Sequence, residues 1–207
     1  MPEFDRKGHW ESVYSSRRVT ETSWHQKDPR FSLALIENAG VDAEAALIDV
    51  GGGASLLVDY LLEAGYRDLT VLDISAAALE QAQRRLGQAA DQVNWIEADI
   101  TEFRPQKHYE LWHDRAVFHF LTDGQDRDSY LRAMNTALKD CGQAIIAAFA
   151  LDGPKKCSGL DVVRYDRESL QSELGERFEC LEADREEHVT PAGGRQMFGF
   201  YRFRKIS

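Results

Sequence analysis

One stretch, Leu47-Ile48-Asp49-Val50-Gly51-Gly52-Gly53-Ala54-Ser55, constrains this chain more than any other. An apolar run, Ala45 to Val50, stops at three consecutive glycines, and an amphipathic run, Leu56 to Ala64, starts just after them. The pattern is strand, tight turn, helix. Glycine in such a turn permits positive φ and lets a ligand approach the backbone with no Cβ in between. The helix N-terminus adds unpaired N–H groups facing the same space. Asp49 lies near the carboxyl end of the strand. A second apolar run, Leu69 to Leu72, ends in Asp73, twenty-four residues beyond Asp49. An acid at the tip of the neighbouring strand, about 20 residues on, accepts hydrogen bonds from ribose hydroxyls. A glycine turn by itself is only a turn. Joined to that acid, it points to a cofactor containing a nucleoside.

The remaining elements alternate. A polar segment, residues 1–30, carries Phe4, Trp10, Tyr14 and Trp24, and Trp10 and Tyr14 share a face if helical. These aromatics pack on the main domain, lie over the cofactor as a lid, or do both. A helix is predicted over Phe31–Asn38, ended by Ala39-Gly40. Ser75 caps a helix with Leu79 and Leu86 inward, closed by Gly87. Val93 to Asp99 reads as a third strand and Tyr109 to Asp114 as a fourth. Asp126 to Lys139 reads as a helix leaving through Cys141-Gly142, and Gln143 to Phe149 as a fully apolar central strand. Strand–helix alternation means a parallel sheet with right-handed crossovers. A short helix is predicted to start at Asp166. The tail then changes: Phe178–Val189 and Gln196–Arg204 flank Thr190-Pro191-Ala192-Gly193-Gly194, a hairpin signal. The whole chain, 1–207, reads as one domain, with 1–40 as a lid or cap segment and 41–207 as the core.

Composition narrows the partners. A net charge of −10 works against a phosphate-backbone partner, so no nucleic acid is expected. The three cysteines, Cys141, Cys157 and Cys180, are odd in number and widely spaced. That argues against a disulfide framework or a zinc site and fits a reducing, cytoplasmic setting with no metal. No run approaches the roughly 18 apolar residues of a membrane span. Met1 to Arg6 lacks an apolar leader core. Oligomeric state is not legible.

In the order and strand positions of these motifs, the chain resembles class I S-adenosylmethionine-dependent methyltransferases along residues 45–205. The matching residues are Asp49-Val50-Gly51-Gly52-Gly53, Asp73, Asp99-Ile100, His113-Asp114-Arg115 and the terminal hairpin. Ser55 stands where the family usually has a third spaced glycine. The resemblance implies an α/β, Rossmann-like, doubly wound seven-stranded sheet, mostly parallel, with a C-terminal antiparallel hairpin. It implies S-adenosyl-L-methionine as cofactor and S-adenosyl-L-homocysteine as product. It places Gly51, Gly52 and Gly53 beneath the cofactor's amino-acid part and ribose, and Asp49 near its amino group. Asp73 then holds the ribose hydroxyls and Ile74 packs on adenine. Asp99 accepts from the adenine amino group beside Ile100. Asp114 and Arg115 sit where cofactor meets acceptor. Trp10, Tyr14 and Trp24 resemble the aromatic lid of small bacterial-type, thiopurine methyltransferase-like members, with Trp24 foremost.

A sulfonium is already an activated methyl donor, so the protein has mainly to align the reactants. A base is needed only if the acceptor must lose a proton. His119 is the catalytic candidate because histidine titrates near neutrality; His113 is second, and either can instead be a structural core histidine. Cys157, beside Lys155 and Lys156, is a reactive thiol or an inert loop cysteine. Arg185 to His188 reads as a solvated charge run. The expected acceptor is a small molecule. The alternatives are a protein side chain and a non-catalytic cofactor-binding module. Asp114-Arg115-Ala116 departs from the Asp-Lys-Gly of related lysine methyltransferases and from the Asn/Asp-Pro-Pro-aromatic motif of base methylation. The consecutive glycines depart from the spaced set of a nicotinamide dehydrogenase.

Overall fold

The computed structural model describes residues 4–206; Met1, Pro2 and Glu3, part of the stretch read as lacking a leader core, lie outside them. Seven strands form one sheet: β1 (Leu47–Val50), β2 (Leu69–Asp73), β3 (Val93–Glu97), β4 (Tyr109–Arg115), β5 (Leu138–Phe149), β8 (Phe178–Val189) and β9 (Arg195–Lys205). Two short strands, β6 (Lys156–Cys157) and β7 (Leu160–Asp161), pair separately. The sheet order is β3-β2-β1-β4-β5-β9-β8. β9 is antiparallel to both neighbours, so it alone runs against the other strands. The order reverses around β1 and β4, and the carboxyl ends at such a switch point form the crevice where α/β sheets bind ligands.

The helices are α1 (Arg6–Ser16), α2 (Arg30–Ala39), α3 (Leu57–Glu63), α4 (Ala76–Leu86), α5 (Gly124–Ala137) and α6 (Arg167–Leu174). Gly40 ends α2 at φ 64°. The Ser75 hydroxyl accepts from Ala78 N at the start of α4. Asp166 and Ser169 form a reciprocal capping box on α6. One expectation shifts: α5 stops at Ala137 and β5 already begins at Leu138. The strand absorbs the difference by a register shift against β4 between Tyr109 and Leu111, with Cys141 at φ 61°.

Alternation along β5 sends Ile145 to one face and Ile146 to the other. On one face Trp112, Phe118, Tyr130 and Phe203 pack beneath α5 and α6; on the other Leu111, Phe149 and Phe200 pack against α2 and α3. Both faces of the central strands are covered, as their apolar runs require.

The segment before β1 lies across the crevice. α1 packs against α4, and Glu11 accepts from the Ser75 hydroxyl at 2.8 Å and Ala77 N at 3.2 Å. A carboxylate there complements a helix N-terminus. The hairpin holds the other end. Gln26 Nε2 donates to Glu186 Oε1 at 2.9 Å, and the His188 ring bonds Ser23 O at 2.8 Å. Glu186 and His188 are buried, whereas Arg185 and Glu187 are exposed. The charge run expected to be solvated is therefore inward-facing at every second residue.

Candidate cofactor and acceptor site

Each glycine of the turn meets a specific neighbour. Gly51 has φ +68°, and a side chain on it would overlap the Val117 side chain. A Cβ on Gly52 would overlap Asp49 Oδ2, and one on Gly53 would overlap Asp73 Oδ2. The two acids anchor their other oxygens elsewhere. Asp49 Oδ1 takes the His113 Nδ1 bond at 2.7 Å, and Asp73 Oδ1 accepts from Ser75 N at 2.9 Å. Both Oδ2 atoms thus face the glycine turn.

Asp73 is 5% exposed. Burial, with the nearby Asp49 and Glu11 charges, raises its carboxyl to about 7, against the pull of the Ser75 and Ile74 N–H groups. A buried acceptor with one unused oxygen suits a hydroxyl-bearing ligand. Ile74 is half-buried beside it. At the tip of β3, Asp99 Oδ1 accepts from Thr101 N at 2.8 Å and Thr101 Oγ1 at 2.7 Å, while Asp99 Oδ2 lies 3.7 Å from Arg6. Ile100 is buried.

A narrow cleft of about 50 Å³ opens at the carboxyl ends of β1 and β4, lined by Asp49, Gly51, Gly52, Arg115, Tyr14 and Trp24, among others; Gly53, Asp73, Ile74, Asp99 and Ile100 are not in its lining. Trp24 Nε1 donates to Tyr14 Oη at 3.2 Å, and its ring meets Trp10 edge-on at 5.7 Å. Seven of the sequence-selected residues, Tyr14, Trp24, Asp49, Gly51, Gly52, His113 and Arg115, therefore line one cleft. Ser32, His25 and Gln26 also line it and carried no distinguishing motif. For Ser32 the available signal was its place in the first turn of α2, on the face that buries Leu35 and Ile36.

Asp114 and His119 sit in surroundings other than those expected, and Cys157 takes the inert of its two readings. Asp114, fully buried, accepts from Val117 N at 2.8 Å with Oδ1, and from Phe118 N at 3.0 Å and Tyr130 Oη at 2.7 Å with Oδ2. Both oxygens are occupied from within the protein, by the turn after β4, where Ala116 is held at φ 73°, and by Tyr130. His119 is fully buried between Phe120, Phe149 and Phe198. Burial, then the Arg115 charge, pushes it down to about 3. Phe149 N–H donates to its Nδ1 at 3.3 Å, which places the ring proton on Nε2. His119 is thus set up as a hydrogen-bond donor, which argues against the expected proton acceptor. Cys157 is buried and its thiol is pushed up to about 11, the inert alternative. Among the described residues, no group of three or more His, Cys, Asp or Glu is placed to hold a metal ion. No helix among them is long and apolar enough to cross a membrane.

Residues 48–144 match the family described as "Methyltransferase domain". The match spans 97 of the 207 residues, just under half of the chain, and over that stretch the chain is similar to this family. The mouse "eEF1A lysine and N-terminal methyltransferase" is 23% identical over 145 residues, 69% of this chain and 20% of that protein. The chain thus spans about one fifth of the length of the curated relatives it matches. A structure described under "Conversion of a Disulfide Bond into a Thioacetal Group during Echinomycin Biosynthesis" superposes with TM-score 0.78 at 17% identity, covering 97% of this chain and 93% of that one. The Burkholderia thailandensis 1,6-didemethyltoxoflavin-N1-methyltransferase, bound to 1,6-didemethyltoxoflavin and S-adenosylhomocysteine, superposes with TM-score 0.68 at 18% identity, covering 97% and 84%. At these identities the two structures share the fold with this chain.

Proposed function

We propose that the chain methylates a small molecule, with the N-terminal segment acting as a lid over cofactor and acceptor. The observation carrying this reading is the enclosure of the cleft. Tyr14 and Trp24 roof it, α1 is tied to α4 through Glu11, and the hairpin clasps Gln26 and Ser23. An acceptor presented on a folded protein surface needs an open approach; a small molecule is enclosed and shielded from water. The Burkholderia protein's bound ligand is of that size class.

When bound, S-adenosylmethionine supplies a methyl group on a sulfonium sulfur. The residues that fit it are Gly51, Gly52 and Gly53 as the cradle, Asp73 for the ribose hydroxyls, and Ile74 and Ile100 flanking adenine. Asp99 Oδ2 is available to the adenine amino group and Asp49 Oδ2 to the amino group of the amino-acid part. Trp24 closes over the cleft, where an aromatic face stabilises a sulfonium by cation–π attraction. The contribution of the chain is alignment and exclusion of water. Of the two histidines considered as bases, His113 is committed to Asp49 and Ser32, and His119 is a donor. That combination suits an acceptor atom that needs no protein base.

Protein methylation is the second reading, favoured by the activity in the mouse relative's name. Calorimetric titration with S-adenosylhomocysteine, followed by transfer of labelled methyl to small thiols, amines and hydroxyls or to folded proteins, tests both. Methyl transfer to the small panel is expected. Label on proteins alone would replace this reading with the second, and no cofactor binding would remove both.

A further inference from the structure

Arg115 presents an incomplete set of contacts at the cleft. Its Nη1 donates to Trp24 O at 3.0 Å, and its guanidinium carbon lies 4.5 Å from the Phe198 ring centroid. Its Nε and Nη2 are buried and have no hydrogen-bond partner. Among the described residues, no carboxylate forms an ion pair with it. Glu186, Cys157 and Asp49 act on it only through the field, and burial is the larger influence, lowering the guanidinium to about 10. A second unpartnered donor, His119 Nε2, packs against the same Phe198 ring.

Unpaired buried donors on a cation are costly, and they are not placed at random here. Nε and Nη2 form one edge of the guanidinium, the edge that takes a carboxylate through two parallel hydrogen bonds. The Trp24 carbonyl fixes the opposite corner and the Phe198 face fixes the plane. The fork is held in orientation before anything binds, which lowers the entropic cost of binding.

We infer that the Nε–Nη2 edge of Arg115 is a carboxylate-binding site in the cleft, filled by the carboxylate of the cofactor's amino-acid part or by a carboxylate on the acceptor. The inference rests on the functional reading above and adds to it a charge requirement. It also joins ligand binding to the lid, because the guanidinium that receives the carboxylate holds the Trp24 backbone.

The test is calorimetry on wild type, Arg115→Gln and Arg115→Lys with S-adenosylhomocysteine, with 5′-methylthioadenosine, which lacks the amino-acid part, and with benzoate or benzamide added to protein saturated with S-adenosylhomocysteine. If the cofactor supplies the carboxylate, Arg115→Gln weakens S-adenosylhomocysteine tenfold or more and leaves methylthioadenosine within twofold. If the acceptor supplies it, S-adenosylhomocysteine is unaffected, benzoate binds wild type where benzamide does not, and Arg115→Gln abolishes that binding. Arg115→Lys keeps the charge without the fork and shows a smaller loss in the same arm; it carries the test should the Gln variant fail to fold. Equal losses for both nucleosides, or no loss in any arm, would overturn the inference while wild-type binding of S-adenosylhomocysteine leaves the functional reading standing. Absent wild-type binding would sink the functional reading instead.

Discussion

Asp49 and His113 stand opposite one another on β1 and β4 and share a hydrogen bond of 2.7 Å, Nδ1 to Oδ1. His113 Nε2 continues to Ser32 Oγ at 2.9 Å. In the neutral ring, Nδ1 donates to the carboxylate and Nε2 accepts from the hydroxyl. The chain of contacts runs from α2 through β4 to β1 and holds the Asp49 carboxyl with Oδ2 against Gly52. A core histidine thereby orients an acid at the cofactor cradle.

Removing the acid should expose that dependence. Asp49→Ala leaves a buried His113 donor unpaired and is expected to cost about 1–3 kcal/mol of stability, while Ser32→Ala costs about 1 kcal/mol. The double variant Asp49→Ala/His113→Phe removes both partners and should recover part of the stability, but not the affinity for S-adenosylhomocysteine. Denaturant unfolding beside calorimetry checks this. Fully additive losses in stability would show that the pair is not coupled.

Asp73 couples binding to pH. Its carboxyl is raised to about 7 in the cofactor-free protein, and hydrogen bonds from ribose hydroxyls favour the ionised form. Binding should therefore release a proton near and just below pH 7, and affinity should fall as pH drops through that range. Titration in buffers of different ionisation enthalpy measures the proton directly. For stability the sign is opposite. A carboxyl raised from about 3.9 in the unfolded chain favours the folded state below pH 4, and loses that contribution as pH rises to 7. Asp73→Asn should melt above wild type at pH 8, with the gap closing toward pH 4, and should bind S-adenosylhomocysteine at least tenfold more weakly. A gap independent of pH would show that Asp73 is not carrying the raised carboxyl.

Asp114 should matter more to stability than to binding. Asp114→Ala leaves Val117 N, Phe118 N and Tyr130 Oη without their acceptor inside the core. The expected loss is at least about 3 kcal/mol, with Tyr130→Phe costing about 1 kcal/mol. Affinity for S-adenosylhomocysteine in the folded fraction should change less than for Asp73→Asn. A stable variant with abolished binding would return Asp114 to the cofactor contacts.

What the sequence made legible follows from what local pattern can encode. The glycine turn, the acids at the tips of β1 and β2, the caps at Ser75 and Asp166 and the terminal hairpin were readable because each depends on residues close in the chain. The partners of His113 and His119 were not readable, because they come from β1, α2 and β5, 30 or more residues away, and of the Asp114 partners only Tyr130, on α5, lies outside the local turn. The burial of Cys157, which decides between its reactive and inert readings, is likewise set by tertiary packing. The inward face of Glu186 and His188 was visible in principle as an alternation of period two, but no propensity marks a charged strand residue as buried.

Trp24 separates a lid from a packing element. Its indole is half-buried, bonded to Tyr14 Oη and edge-on to Trp10, and the residue lines the cleft. It packs from the edge, only partly buried, on the small cluster around Tyr14, Ala54 and Ala78 and on the core face that carries Leu35, Phe149 and Phe198. Truncation there should cost less than the 3–5 kcal/mol of a fully buried tryptophan, about 1–2 kcal/mol. Trp24→Ala is accordingly expected to lower the melting temperature by only a few degrees and to weaken S-adenosylmethionine about tenfold, and S-adenosylhomocysteine less. The difference between the two ligands is the decisive reading, because only the sulfonium carries the charge that an aromatic face attracts. A loss of stability with equal, small changes for both ligands would make Trp24 a packing residue and remove it from the lid.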